Sequence, residues 1–349
     1  MTPKLRTTLM GYSIIHGIID LSCASVVLAS LLSYGVNANE SFILIVLYNI
    51  LAFGLQAPFG LLIDKLKVPK ESAIVGSLLV MSSFFVFNMP GLVVILSGLG
   101  NAFFHVGGGS ISLNFSLRKA FAPGIFVAPG ALGLTIGVLI GKSGMFIAWP
   151  FVLLLIASVL FIIKSEIPEI NYEVVSVKPK VKYFELVLLL LLFSVSIRAL
   201  YGLNAAWKSD ITLLFLLTLG IVLGKALGGI LGDRFGFAKT AIGSLVISAP
   251  LLAFFPNSPL LVILGAFLFQ MTMPIALTTL SNILPGRSAF AFGLSVLALI
   301  IGVIPTYMGF KAFLSNQYVI LSIILLCALS LLISFRLLYN YFKEIRIRL

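Results

Sequence analysis

Apolar residues along this chain come in long blocks separated by short polar breaks. An α-helix needs about 20 apolar residues to cross a bilayer. Twelve blocks of that order fall at roughly 8–32, 42–63, 72–89, 92–115, 123–141, 143–163, 185–203, 211–232, 239–256, 259–284, 290–310 and 318–338. The longest polar stretch, residues 164–182, carries Glu166, Glu169, Glu173, Lys178 and Lys180 and leaves six blocks on each side. The pattern predicts an all-α membrane protein of twelve transmembrane helices, with an N-terminal six-helix bundle at 1–164, a cytoplasmic linker at 165–183 and a C-terminal six-helix bundle at 184–349.

Composition sharpens that picture by exclusion. Of 349 residues, 60% are hydrophobic and 10% are charged, against about 25% charged in a typical soluble domain. So little charge cannot cover a soluble surface, and so much apolar content excludes a disordered chain. The net charge of +12 would suggest nucleic acid in a soluble protein. Here 18 of the 23 Lys and Arg fall on one face once the N-terminus is placed inside, while only Lys142, Lys208 and Lys311 fall on the other, and Arg198 and Lys225 lie within spans. The positive-inside bias predicts a multi-pass plasma-membrane protein with both termini cytoplasmic and no nucleic-acid partner. Cys23 and Cys327 lie in apolar runs, with neither metal spacing nor a disulfide framework. The chain has no catalytic constellation, nucleotide loop or cofactor motif, so an enzyme is not expected, nor a cofactor or a metal.

The two halves resemble each other. A shift of 169 residues aligns Gly60 with Gly229, Asp64 with Asp233, Lys65 with Arg234, Asn88 with Asn257 and Gly133 with Gly302. The segment from Arg118 to Gly124 then meets the segment from Arg287 to Gly293 with five identities in seven. Six spans per half is an even number, so the repeats are expected to be parallel, related by an axis along the membrane normal.

The duplicated loop carries a family resemblance. Gly229-Ile-Leu-Gly-Asp233-Arg234-Phe-Gly236-Phe-Ala-Lys239 resembles the Gly-x-x-x-Asp-Arg-x-Gly signature of the major facilitator superfamily. Gly60-Leu-Leu-Ile-Asp64-Lys65-Leu-Lys67 is its first copy, with Lys67 in place of the second glycine. The resemblance implies the major facilitator fold, secondary transport by alternating access, and a cytoplasmic gate built from Gly60, Asp64, Lys65, Gly229, Asp233, Arg234 and Gly236. Each Asp would accept hydrogen bonds from the N-terminus of a facing helix. His16, Asp20 and the pair Phe104-His105 are also similar to features of fosmidomycin-resistance-type drug exporters, although Val106 stands where that group has proline.

In this superfamily the first, fourth, seventh and tenth helices line the cavity, and those helices carry polar stripes here. The first has Ser13, His16, Gly17 and Asp20; the fourth Asn101, His105, Gly108 and Ser112; the seventh Ser194, Arg198 and Tyr201; the tenth Gln270, Pro274, Thr278 and Asn282. Spacings of three and four put each set on one helix face, and an intramembrane ionisable group is a functional hypothesis by default. At 1.5 Å per residue, His16 and His105 lie about 10–12 Å from the cytoplasmic boundary and Asp20 and Arg198 about 18–20 Å. An Asp20–Arg198 pair with a histidine pair one level below is expected.

Asp20, assisted by His16, is the expected proton-coupling group; Asn101, His105, Arg198, Tyr201, Gln270, Thr278 and Lys225 are the expected substrate cavity. The partners expected are a small-molecule substrate, protons and the bilayer, for a monomer. Proton-coupled export of a drug-like or anionic compound is the first functional reading. Uptake of a sugar or carboxylate metabolite is the second, and a non-transporting sensor or scaffold comes from another class.

The topology is testable by labelling. In intact cells a membrane-impermeant maleimide should modify Lys142→Cys, whereas Lys67→Cys should react only after permeabilisation; the reverse pattern would invert the orientation.

Overall fold

A computed structural model describes residues 2–174, 177, 180–201 and 210–349. Lys178 and Lys208, counted in the charge asymmetry, lie outside the described residues. The chain runs through α1 (Pro3–Ser33), α2 (Ala38–Asn49), a π-helical turn at Ile50–Gly54, α3 (Gln56–Leu66), α4 (Pro69–Phe85), α5 (Pro90–Asn114), α6 (Phe121–Lys142) and α7 (Trp149–Lys164). After the linker come α8 (Phe184–Tyr201), α9 (Ile211–Phe235), α10 (Phe237–Phe254), α11 (Pro259–Gln270), α12 (Thr272–Ile283), α13 (Ser288–Tyr307), α14 (Lys311–Leu314) and α15 (Gln317–Glu344). There is no strand among the described residues. In hydrocarbon every backbone polar group must be satisfied within its own segment, which an apolar run achieves as a helix.

Nine helical segments among the described residues are long and apolar enough to cross a membrane, and Trp149–Lys164 is apolar but shorter. Helix starts follow local chemistry. Asn37 caps α2 through Glu40 N–H at 2.9 Å, Asp210 caps α9 through Leu213 N–H at 3.0 Å, and Asn316 caps α15 through Tyr318 N–H at 2.9 Å. Proline opens α1, α4, α5, α7 and α11, where its missing N–H costs nothing.

The structure shortens one expected span and places a local break inside two others, which still count among those nine. The block at 143–163 becomes helical only from Trp149, because Gly144 turns at φ +73° and Pro150 favours a fresh start. The block at 259–284 is two helices, α11 and α12, that meet at Met271. Pro274 cannot donate to the carbonyl one turn earlier, at Gln270, so the ladder opens there. The block at 42–63 contains the π turn between α2 and α3. Such turns insert one extra residue per turn into an α-helix.

The chain forms two compact units. The first comprises Met1–Phe115, Pro129–Tyr172 and Gly286–Leu297; the second comprises Ser116–Ala128, Glu173–Pro285 and Ala298–Leu349. Each therefore takes the opening residues of one helix, α13 or α6, from the opposite sequence half.

In the first unit, α1 and α6 approach through small residues. A Cβ on Gly133 would overlap the carbonyl of Gly17, one on Gly137 would come 2.6 Å from Leu21 O, and one on Gly141 would come 2.9 Å from Ser25 O. Ser25 Oγ donates to Gly137 O at 3.2 Å across the same seam. Without a hydrophobic drive between helices in lipid, close approach of this kind supplies the packing, and here it fixes α1 beside α6. In the second unit a Cβ on Gly302 would overlap Ser196 O, and Ser196 Oγ donates to Ala298 O at 2.7 Å. Gly133→Val should therefore cost about 1–3 kcal/mol through overpacking, read as a lower unfolding midpoint in detergent. Gly243→Val, where a Cβ meets nothing within 4 Å, should leave the midpoint near wild type.

Candidate functional site

In the first unit, four polar side chains from α1 and α5 converge. Asp20 and His16 are one turn apart on α1, and Asn101 and His105 are one turn apart on α5. His105 Nδ1 lies 2.8 Å from the carbonyl of Asn101. A carbonyl only accepts, so Nδ1 carries a proton and donates it there, which turns Nε2 toward α1. That Nε2 lies 2.8 Å from His16 Nε2, with the rings edge-on at 88°. Asp20 faces both: Oδ2 is 3.3 Å from His16 Nε2 and Oδ1 is 3.4 Å from His105 Nε2. Asn101 Nδ2 donates to Asp20 Oδ1 at 3.2 Å. The histidines and Asn101 are buried, while the Asp20 side chain keeps 17% of its exposure. A cluster of this kind, sunk in an apolar bundle, holds its charge by sharing protons and hydrogen bonds.

The expected levels therefore hold for the histidines, but Asp20 joins them rather than sitting one level apart. Its partners are the two histidines and Asn101. Arg198, expected to pair with it, is buried in the second unit and donates from Nη1 to Thr272 Oγ1 at 3.1 Å. Thr272 in turn donates to Phe269 O at 2.9 Å, at the junction of α11 and α12. The helix break thus presents the hydroxyl that receives the guanidinium. Ser194, on the same face of α8, meets Cys327 Sγ at 3.1 Å. Gln270 is half-buried at that junction, and Thr278 is buried with no hydrogen-bond partner for Oγ1. Lys225 is half-buried, with Nζ 3.5 Å from Val127 O. Tyr201 lies outside the residues whose side chains are described.

The motif aspartates make the same contact twice. Asp64, on α3, accepts from Ala289 N–H at 3.0 Å and Phe290 N–H at 2.8 Å, in the first turn of α13. Asp233, on α9, accepts from Ala120 N–H at 2.7 Å and Phe121 N–H at 3.0 Å, at the start of α6. Donors and acceptors keep the 169-residue offset, each pair within its own unit. The glycines explain the closeness. A Cβ on Gly60 would come 2.5 Å from Ala289 O, and one on Gly229 would overlap Ala120 O. From the other helix, a Cβ on Gly293 would overlap Gln56 O, and one on Gly124 would come 2.8 Å from Lys225 O. Free helix N-terminal N–H groups and the helix dipole both favour a carboxylate at these points. Lys65 and Arg234 are exposed beside them.

Sequence reasoning missed the bonds that flank the first clasp. Ser288 Oγ, at the start of α13, meets Ser110 Oγ at 2.8 Å and accepts from Asn114 Nδ2 at 3.0 Å. It missed Thr272 and the C-terminal residues as well. Arg348 Nη1 donates to Arg234 O at 2.6 Å, and Phe237 N–H donates to Arg348 O at 3.0 Å. The polar residues of α5 one and two turns beyond His105 were the available signal for the first of these; no signal marked the others.

No protein-family profile matches the chain, and no curated protein matches it in sequence. Solved structures do resemble it. The E. coli fucose:proton symporter FucP superposes with a TM-score of 0.68 at 14% identity, over 94% of this chain and 97% of that one. A FucP structure in the outward conformation, described as a major facilitator superfamily transporter, gives 0.67 at 14% identity, over 93% and 99%. The human organic anion transporter TETRAN gives 0.66 at 12% identity, over 97% and 100%. The chain has the fold of these transporters, and over its described residues it is all-helical, in keeping with a multi-pass membrane protein.

The two motif copies part at one turn. Gly236 ends α9 at φ +107° and ψ +146°, where a Cβ would also overlap Leu349 O. Its counterpart Lys67 ends α3 at φ +61° and ψ +38°, the ordinary left-handed well. That well costs a lysine about 1–2 kcal/mol, whereas the Gly236 conformation is essentially reserved for glycine. Gly236→Ala should lower the unfolding midpoint in detergent, by the equivalent of about 1–3 kcal/mol. Lys67→Gly should leave the midpoint unchanged or raise it.

Proposed function

We propose that this chain is a secondary active transporter that moves a small organic solute by alternating access, in a monomer of twelve spans. On this reading the spans form two parallel six-helix repeats, 1–164 and 184–349, joined by a cytoplasmic linker, in the plasma membrane with both termini inside. The observation that carries the reading is the duplicated clasp. Two carboxylates, each bonded to a pair of helix N-terminal N–H groups, join helices of opposite sequence halves at the same repeat positions. A contact of charge-assisted hydrogen bonds is strong when closed, and its donors and acceptors can be rehydrated when it opens toward the cytoplasm. Breaking the clasps opens the cytoplasmic side; reforming them closes it.

Coupling is to protons, through Asp20 with His16. The Asp20 carboxylate and the paired imidazoles share hydrogen bonds at close range, so a proton gained by one is delocalised over three groups. Asn101, His105, Arg198, Tyr201, Gln270, Thr278 and Lys225 bind the solute. Arg198 and Lys225 favour a substrate bearing carboxylate, phosphate or phosphonate groups. Export of a drug-like or anionic compound follows, in keeping with the fosmidomycin-exporter features of α1 and α5. Uptake of a sugar or carboxylate is the second reading, and the likeness to the fucose:proton symporter favours it. A non-transporting sensor or scaffold would tolerate neutral substitutions at Asp20 and Arg198, whose burial costs several kcal/mol each unless compensated.

The test starts from a ligand found by thermal shift among drugs, sugars and organic anions. In proteoliposomes with a pH gradient, wild type should accumulate that ligand. Asp20→Asn should abolish accumulation while retaining exchange at equal concentrations. Accumulation by Asp20→Asn with unchanged pH dependence would remove Asp20 from coupling. Accumulation in everted rather than right-side-out vesicles assigns export.

A further inference from the structure

The convergence of α1 and α5 has a second chemical capacity that proton coupling does not require. His16, Asp20 and His105 each offer one ligand atom, and these atoms lie within 4.8 Å of one another. Ligands on a single tetrahedral zinc, bound at about 2.0–2.2 Å, are separated by about 3.3 Å. The imidazole-to-carboxylate separations are 3.3 Å from His16 Nε2 to Oδ2 and 3.4 Å from His105 Nε2 to Oδ1, so Asp20 turns one oxygen toward each imidazole; the imidazole-to-imidazole separation of 2.8 Å needs to open by about half an ångström.

Three further features fit the same chemistry. His105 donates its Nδ1–H to Asn101 O, which aims Nε2 inward; metal-binding histidines are held in this way by a carbonyl on the other nitrogen. Asn101 Oδ1 is buried without a hydrogen-bond partner, although the Nδ2 of the same amide already reaches Asp20 Oδ1. A buried acceptor left unpaired is costly, and a metal ion or its bound water supplies what it lacks. Finally, α6 passes the donors at Gly130, where the missing side chain lets them sit: a Cβ there would come 2.6 Å from both Asp20 Oδ2 and His16 Nε2.

We propose that His16, Asp20 and His105 form a binding site for a divalent transition-metal ion of the zinc class, with Asn101 Oδ1 or a water completing the coordination. Two imidazoles and one carboxylate select zinc, cobalt or nickel over magnesium and calcium, which prefer all-oxygen sites. The site stands on the convergence of these donors alone; if Asp20 and His16 also carry the coupling proton, proton and metal compete for the same lone pairs.

The test is binding to purified, tag-free protein in detergent, with zinc and cobalt as probes. After desalting, wild type should retain about one zinc per chain, and cobalt should give visible d–d absorption that zinc abolishes and magnesium does not. His105→Ala and Gly130→Ala should each weaken binding at least about tenfold. Gly130→Ala removes no ligand and carries the test if His105→Ala fails to fold, with gel filtration as the control. A Cys23→Ser/Cys327→Ser double variant should bind like wild type. If wild type retains no zinc, or if His105→Ala and Gly130→Ala bind as wild type does, the proposal falls and the signal is an adventitious ion only. Because the assay involves no flux, failure to find transport leaves this result readable.

Discussion

A carboxylate inside an apolar helix bundle must be met by donors, and the rest of this architecture is arranged around how that requirement is satisfied. For Asp64 and Asp233 the donors are backbone N–H groups that no helix can satisfy internally, the first ones of α13 and α6. The carboxylate and the helix terminus each solve the other's problem. Backbone donors can be reached only if the helices nearly touch, which is why glycine recurs at Gly60, Gly229, Gly124 and Gly293. The motif is less a list of residues than one contact seen from its two sides.

Asp20 meets the same requirement with side chains. Its partners are two imidazoles and an amide rather than backbone donors. Side-chain donors can change protonation state or exchange for another ion, and backbone donors cannot. Arg198 shows the cationic version, resting on a hydroxyl at the break between α11 and α12. The acidic, imidazole-rich cluster is in one unit and the guanidinium in the other, so the chemistry of the halves has diverged more than their helix packing.

Much of this was legible in the sequence. The apolar blocks, the 169-residue register and the polar faces of the first and fourth helices all follow from periodicity and composition. Depth arithmetic along two helices was enough to bring His16 and His105 to one level. It could not bring Asp20 to them, because a rise per residue says nothing about helix tilt or side-chain reach. The partner of Arg198 was hidden by the break at Met271, which an unbroken apolar run of 26 residues conceals. Contacts made by backbone atoms, such as the carbonyls of Arg234 and Arg348, leave no residue-type signature at all.

The clasps are alike in geometry but not in biosynthesis. When Asp233 is made, its donors Ala120 and Phe121 have already left the ribosome, 113 and 112 residues earlier. Asp64 must wait for Phe290, 226 residues later, which at roughly 5–20 residues per second is on the order of 10–45 s. During that interval the first half holds a carboxylate without its native donors, and the lipid headgroups, water or chaperones at the insertion site have to supply them. The clasp of the first half is therefore completed only by the synthesis of α13, whereas that of the second can close as soon as Asp233 emerges.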